Sequence, residues 1–196
     1  TRDIYAAGAV QPGDEDDYFQ SSLFTMARRR ILWLLILVLA NGLTTKVIAM
    51  NDQILKEIVL LAAFIPLLIG TGGNVGAQSS TVVIRGLSTQ KLKSLGAIKA
   101  VVKEAITGAL LGILMMLVVI PFAWWQGEGP LIASAVGISL ISITTLAATT
   151  GAILPLLFHR MKLDPALMSS PFITTVTDIA GVFIYLSTAK WLLSSS

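Results

Sequence analysis

The sequence predicts an all-α integral membrane protein with five transmembrane helices per subunit, preceded by an interfacial amphipathic helix, the N-terminus cytoplasmic and the C-terminus outside. Three observations predict it. Of 196 residues, 55% are hydrophobic and only 13% charged, with a mean hydropathy of +0.81, a balance that a soluble domain of this size does not sustain. Apolar runs of about 20 residues, the length needed to cross a bilayer core, recur along the chain. The basic residues gather in the short segments between those runs, where they set orientation. The net charge of +3 therefore points to membrane topology and not to nucleic acid. With no cysteine, neither a disulfide framework nor a thiolate metal site is available.

Residues 1–30 read as a linker and interfacial helix, and residues 31–193 as the transmembrane domain. The chain opens at Thr1 with no methionine and no signal-like region, which reads as a piece cut from a longer protein. An acidic turn, Asp14, Glu15, Asp16 and Asp17, is placed to cap the helix that follows. Residues 18–30, with Tyr18, Phe19, Leu23, Phe24 and Met26 ahead of Arg28, Arg29 and Arg30, have the make-up of a helix lying at the lipid boundary with its arginines at the headgroups.

The spans are expected near Ile31–Met50, Ile58–Ile84, Ala105–Trp125, Leu131–Phe158 and Ala166–Ala189. The first carries Asn41, Gly42, Thr44 and Thr45, a face polar enough to pack on protein. The second is interrupted by the run Gly70, Thr71, Gly72, Gly73, Asn74, Val75 and Gly76. Its glycines suit close helix packing, Gly72 and Gly76 having the small-xxx-small spacing, and also suit backbone carbonyls exposed to a watered path. A dinucleotide or phosphate loop is a poor fit, since no Lys-Ser/Thr follows and no strand–helix unit surrounds it. Trp124 and Trp125 close the third span at an interface, and Pro66, Pro121 and Pro171 are candidate hinges. Counting Lys and Arg from Arg28 onward, the segments on the N-terminal side of the membrane hold ten and the opposite flanks three, Lys46, Lys56 and Lys190, which puts the start of the chain inside. His159, the lone histidine, falls at the inner end of the fourth span as an interfacial anchor.

The chemistry concentrates in the fifth span. Asp178 is a lone carboxylate in an uncharged apolar segment, where insertion costs on the order of 2.5–3.5 kcal/mol and acids face a partner helix or a watered cavity. Ser170 and Thr174 precede it at four-residue steps and Gly181 follows three on, so a helix stacks hydroxyls, carboxylate and bare backbone on one side. That pattern suits the wall of an ion path; it also suits polar gluing of two helices. Asp164 before Pro165 has the form of an N-cap with proline at the first helical position, and an acid there also concentrates cations at an inner mouth.

Ile65 and Pro66 through Gly70–Gln78, followed in order by Asp164, Pro165 and Ala166, Ser170 and Pro171, and Thr177–Gly181, resemble the transmembrane domain of the MgtE magnesium channel and transporter family over about residues 20–193. The resemblance implies a magnesium pore in a bacterial plasma membrane, formed by a homodimer between the second and fifth helices of both subunits. It implies that Asp178 holds hydrated Mg2+, the transported ion and a structural ligand of the pore. Gly70, Gly73, Asn74, Ala77, Ser170 and Thr174 would line the path, and Mn2+ or Co2+ would compete. Ser170 and Ala77 depart from the pattern, asparagine standing there in a member of the family. The resemblance further implies a cytosolic regulatory domain upstream. Magnesium keeps several of its waters, so one carboxylate per chain, doubled by symmetry, suffices. Two other readings are an ion-coupled secondary transporter, for which no second glycine break is found, and a non-conducting assembly subunit. An enzyme is not expected: an intramembrane protease needs a second deep acid or base beside Asp178.

Overall fold

A computed structural model of the chain describes residues 22–89, 96–126, 129–163 and 165–194. Those residues form helices and no strands: α1 Leu23–Ala49, α2 Asp52–Glu57, α3 Leu60–Ser88, α4 Ala97–Trp125, α5 Pro130–Arg160 and α6 Pro165–Ser194. Four stretches, Leu60–Ser88, Ala97–Trp125, Pro130–Arg160 and Phe172–Ser194, are long and apolar enough to cross a membrane. The protein is therefore an integral membrane protein. The apolar part of α1, Leu34–Ala49, is shorter, so the first predicted span does not reach the same measure among the described residues.

From Leu23 onward α1 is one unbroken helix across the division expected near residue 30. No proline or acid interrupts it, and once a helix is nucleated each further residue adds a hydrogen bond. Residues 18–21 and the acidic turn lie outside the described residues. The glycine run does not interrupt the second span either: α3 is helical from Leu60 to Ser88, through all of its glycines and Pro66. Water is what lures a glycine-rich backbone out of a helix, and in lipid each amide left unsatisfied costs several kcal/mol. Pro121 and Pro155 likewise sit inside continuous helices. The turn between the first two spans folds as the short α2, with Asp52 and Lys56 ion-paired on its exposed side.

Helix α5 is the centre of the bundle, with α3, α4 and α6 each packed on it, and α1 packs principally against α6. Lipid is as apolar as leucine, so helices associate in it by close packing more than by hydrophobic drive. The glycines show where backbones approach. A methyl on Gly108 of α4 would sit 2.5 Å from the Thr144 carbonyl oxygen of α5, and one on Gly72 of α3 would sit 2.8 Å from Ile143 Cγ2. Gly137 of α5 meets Met116 and Ile120 of α4 in the same way. These pairs give the directions: along α3, Gly72 and Gly76 meet Ile143 and Ala147 in parallel order, whereas α4 runs antiparallel to α5. One hydroxyl bridges the parallel pair, Ser79 Oγ donating to the Ala148 carbonyl at 2.8 Å. Tyr185, Leu61, Leu68, Leu140 and Ile143 fill the interior as its largest fully buried side chains.

The turn from α5 to α6 is a Schellman motif. Leu163 N–H donates to the Phe158 carbonyl and Lys162 N–H to the His159 carbonyl, at 2.9 and 3.1 Å. Lys162 takes the left-handed position, φ 60°, normally given to glycine. His159 is exposed in the last turn of α5, in keeping with an interfacial place.

Candidate functional site

Helices α3 and α6 lie antiparallel, and the candidate residues fall along their seam. A methyl on Gly72 would stand 3.8 Å from Thr177 Cβ, one on Gly73 3.7 Å from Thr174 Cγ2, and one on Gly76 2.5 Å from Ile173 Cγ2. Descending α3 thus means climbing α6, and Asp178 comes level with the turn of α3 that holds Gly70 to Gly73. Asp178 is half-buried, with Thr177 beside it fully buried and Val176 exposed. Its carboxylate therefore belongs to the rim where the bundle interior meets an open face.

That open face belongs to α3. Gly70 and Asn74 are exposed, with nothing within 4 Å of a methyl built on Gly70. Gly73 and Ala77 are half-buried at the border with α6. The helical period splits the glycine run between two duties: Gly72 and Gly76 are buried against α5 and α6, while Gly70 faces outward. Packing, the plainer expectation for the run, thus accounts for two of its glycines. Beyond Asn74 the face continues through exposed Gln78, Thr81 and Arg85, whereas Ser79 and Ser80 turn inward.

On α6, Thr174 is half-buried beside Gly73, as a residue on the same side as Asp178. Gly181 differs from expectation. It is buried against Ile143 of α5, its methyl position 3.7 Å from that side chain. A three-residue step falls 60° short of a full turn, enough here to carry Gly181 from the rim into the core. Ser170 lies in α6 with its side chain outside the described residues, and Asp164 lies outside them altogether.

Among the described residues no three His, Cys, Asp or Glu side chains gather to form a metal cage. One subunit offers a single carboxylate beside a polar, open helix face. Such a donor set does not by itself enclose a bare ion. Arg85 was legible only as a topology marker, although its place seven and eleven residues from Gln78 and Asn74 was the available signal that it shares their face.

The family model MgtE, described as a divalent cation transporter, matches residues 65–188, which include the whole of this seam. Three bacterial proteins named "Magnesium transporter MgtE" are similar to the chain. The one from Thermus thermophilus is 37% identical over 195 residues, which is 100% of this chain and 43% of that protein. The Bacillus subtilis protein is 33% identical over 92% of this chain and 40% of its own length, and the Enterococcus faecalis protein 33% identical over 84% and 36%. The chain thus spans about two fifths of the length of these relatives. Bacterial relatives and four apolar helices together mark an integral protein of a bacterial plasma membrane. With a family model covering most of its length and relatives aligned over 84–100% of it, the chain belongs to the MgtE family of divalent cation transporters.

Proposed function

We propose that the chain is the pore domain of a magnesium channel or transporter, passing hydrated Mg2+ between two subunits along α3 and α6 of each. In this reading α1 is the first of five spans, the N-terminus is cytoplasmic and the C-terminus is outside, a topology that the distribution of Lys and Arg supports. The observation that carries it is the half-buried Asp178, on a membrane-spanning helix, at the rim of an open face lined by Gly70 and Asn74. Lipid is a poor neighbour for both: a mid-membrane carboxylate and an exposed amide each need water or a polar partner. A second copy set face to face supplies both, with water between.

In that arrangement two Asp178 carboxylates approach across the axis, and like charges at such range repel unless a cation lies between them. Magnesium, which sheds its waters reluctantly, is held through its hydration shell. The carboxylates accept hydrogen bonds from those waters, and oxygens near Gly70, Gly73, Asn74 and Thr174 accept others. Ala77 and Ser170 extend the lining, and Asp164 concentrates cations at the inner mouth. Selectivity then follows from fitting an octahedral hydrate and not from stripping it. Transport is tested by Mg2+ flux into proteoliposomes containing the chain. Asp178→Ala is expected to insert and fold yet to lose divalent binding and flux; uptake equal to wild type would sink the assignment.

A further inference from the structure

The open face of α3 ends on a positive charge. Thr81 and Arg85, seven and eleven residues beyond Asn74, lie within about 20° of the Asn74 line on a helix of 3.6 residues per turn, Arg85 about 16 Å farther along the axis. Asn74, Gln78, Thr81 and Arg85 are all exposed. Arg85 occupies the last turn of α3, and none of the described carboxylates is ion-paired with it. Its described neighbours at the same end do not neutralise it. Lys99 and Lys103 on α4, Arg160 in the last turn of α5 and Lys162 just beyond it are exposed and cationic, and among the described residues there the one acid is half-buried Glu104.

We infer that Arg85 is a fixed-charge barrier at the inner mouth of the cation path, one from each subunit, which limits divalent throughput without contributing to the binding site. The inference rests on the reading that the open face of α3 lines the path. The α3–α6 register puts Arg85 about 20 Å along the axis from the level of Asp178, more than two Debye lengths at physiological ionic strength. Arg85 therefore leaves affinity at Asp178 alone and acts on ions crossing the mouth. A divalent ion passing about 8 Å from a unit charge in water is disfavoured about 5-fold by one subunit and about 30-fold by two, before screening. At about 1 M salt, where the Debye length is about 3 Å, that factor falls to nearly 1.

The chain has no cysteine, so Arg85→Cys provides a single thiol on which charge is restored without refolding the protein. Mg2+ flux is measured in proteoliposomes at low and high monovalent salt for wild type, Arg85→Gln and Arg85→Cys, the last before and after a trimethylammonium or a neutral methanethiosulfonate of similar size. Arg85→Gln is expected to raise flux about 5- to 30-fold at low salt and to match wild type at about 1 M, with the Mg2+ dissociation constant unchanged. The cationic reagent is expected to return Arg85→Cys to wild-type flux, and the neutral one to leave it high. A gain that persists at high salt, an unchanged or reduced flux in Arg85→Gln, or equal effects of the two reagents would overturn the barrier. Retained flux in Asp178→Ala, by contrast, removes the path reading on which the barrier depends, whatever Arg85 does.

Discussion

Gly151→Ala is the sharpest test of how the bundle is held together. At this position α5 crosses α3 so closely that an added methyl runs into the Gly76 carbonyl oxygen, with the Gly76 carbonyl carbon and Ser79 Cβ each 3.1 Å away. The obstacle is backbone, so no rotamer change relieves it and the helices must part by roughly 1 Å. A gap of that size forfeits a quarter to a half of each dispersion contact it opens, along a seam that includes Gly72 on Ile143 and Gly76 on Ala147. Overpacking of this kind costs about 1–3 kcal/mol. Pulling Ser79 from the Ala148 carbonyl adds about 0.6 kcal/mol, the average for a hydrogen bond between membrane helices. The sum, about 2–4 kcal/mol, corresponds to a fall of roughly 5–15 °C in the melting temperature of the solubilised protein, taking the scale of soluble chains of this length. Gly70→Ala is the matched control: nothing lies within 4 Å of its methyl, so the substitution should hold or slightly raise stability through helix propensity. Melting curves that are the same for Gly151→Ala and wild type would refute the close crossing of α3 and α5.

Two further outcomes are expected. Lys162→Gly should raise the melting temperature by a few degrees, relieving a left-handed residue at φ 60° that costs about 1–2 kcal/mol and is partly offset by glycine's greater freedom when unfolded; Lys162→Ala should not, and equal gains from both would assign the effect to charge. In a binding competition, Mn2+ and Co2+ should displace Mg2+ from the wild-type chain more readily than Ca2+, which prefers 6–8 flexible oxygens to an octahedral hydrate; equal competition by calcium would leave only an unselective electrostatic trap.

Much of this was legible in the residues. The ends of the second to fifth spans were found to within a turn or so except at the start of α4, which begins at Ala97 and not near Ala105. Lys99, Lys103 and Glu104 made those two turns look like loop, because hydropathy measures the length in hydrocarbon while the backbone stays hydrogen-bonded well beyond it. The glycines of α3 misled in the same sense: their low helix propensity suggested a break, and the helix runs through them unbroken. Asp178 was legible because charge is costly where it stands. What no single helix discloses is which of its sides meets another. The burial of Gly181 against Ile143, and the pairing of Gly151 with Gly76, are properties of two helices at once.

The hydroxyls show why exposure, and not polarity alone, separates path from scaffold. Helix α5 carries Ser134, Ser139, Ser142, Thr144, Thr145, Thr149 and Thr150. Yet Thr144, Thr145 and Thr149 each donate to the carbonyl four residues back, at 2.6–2.7 Å, which hides the hydroxyl within its own helix. Helix α5 is also the most buried of the spans, enclosed by α3, α4 and α6. Asn74 and Gln78 on α3 are fewer but exposed, and no backbone carbonyl of their own helix can absorb an amide's several donors and acceptors at once. In lipid that demand is met by water or by another polar surface. In the proposed dimer, the exposed amides of α3 are therefore the groups that a second subunit, and a hydrated ion between the two, would meet.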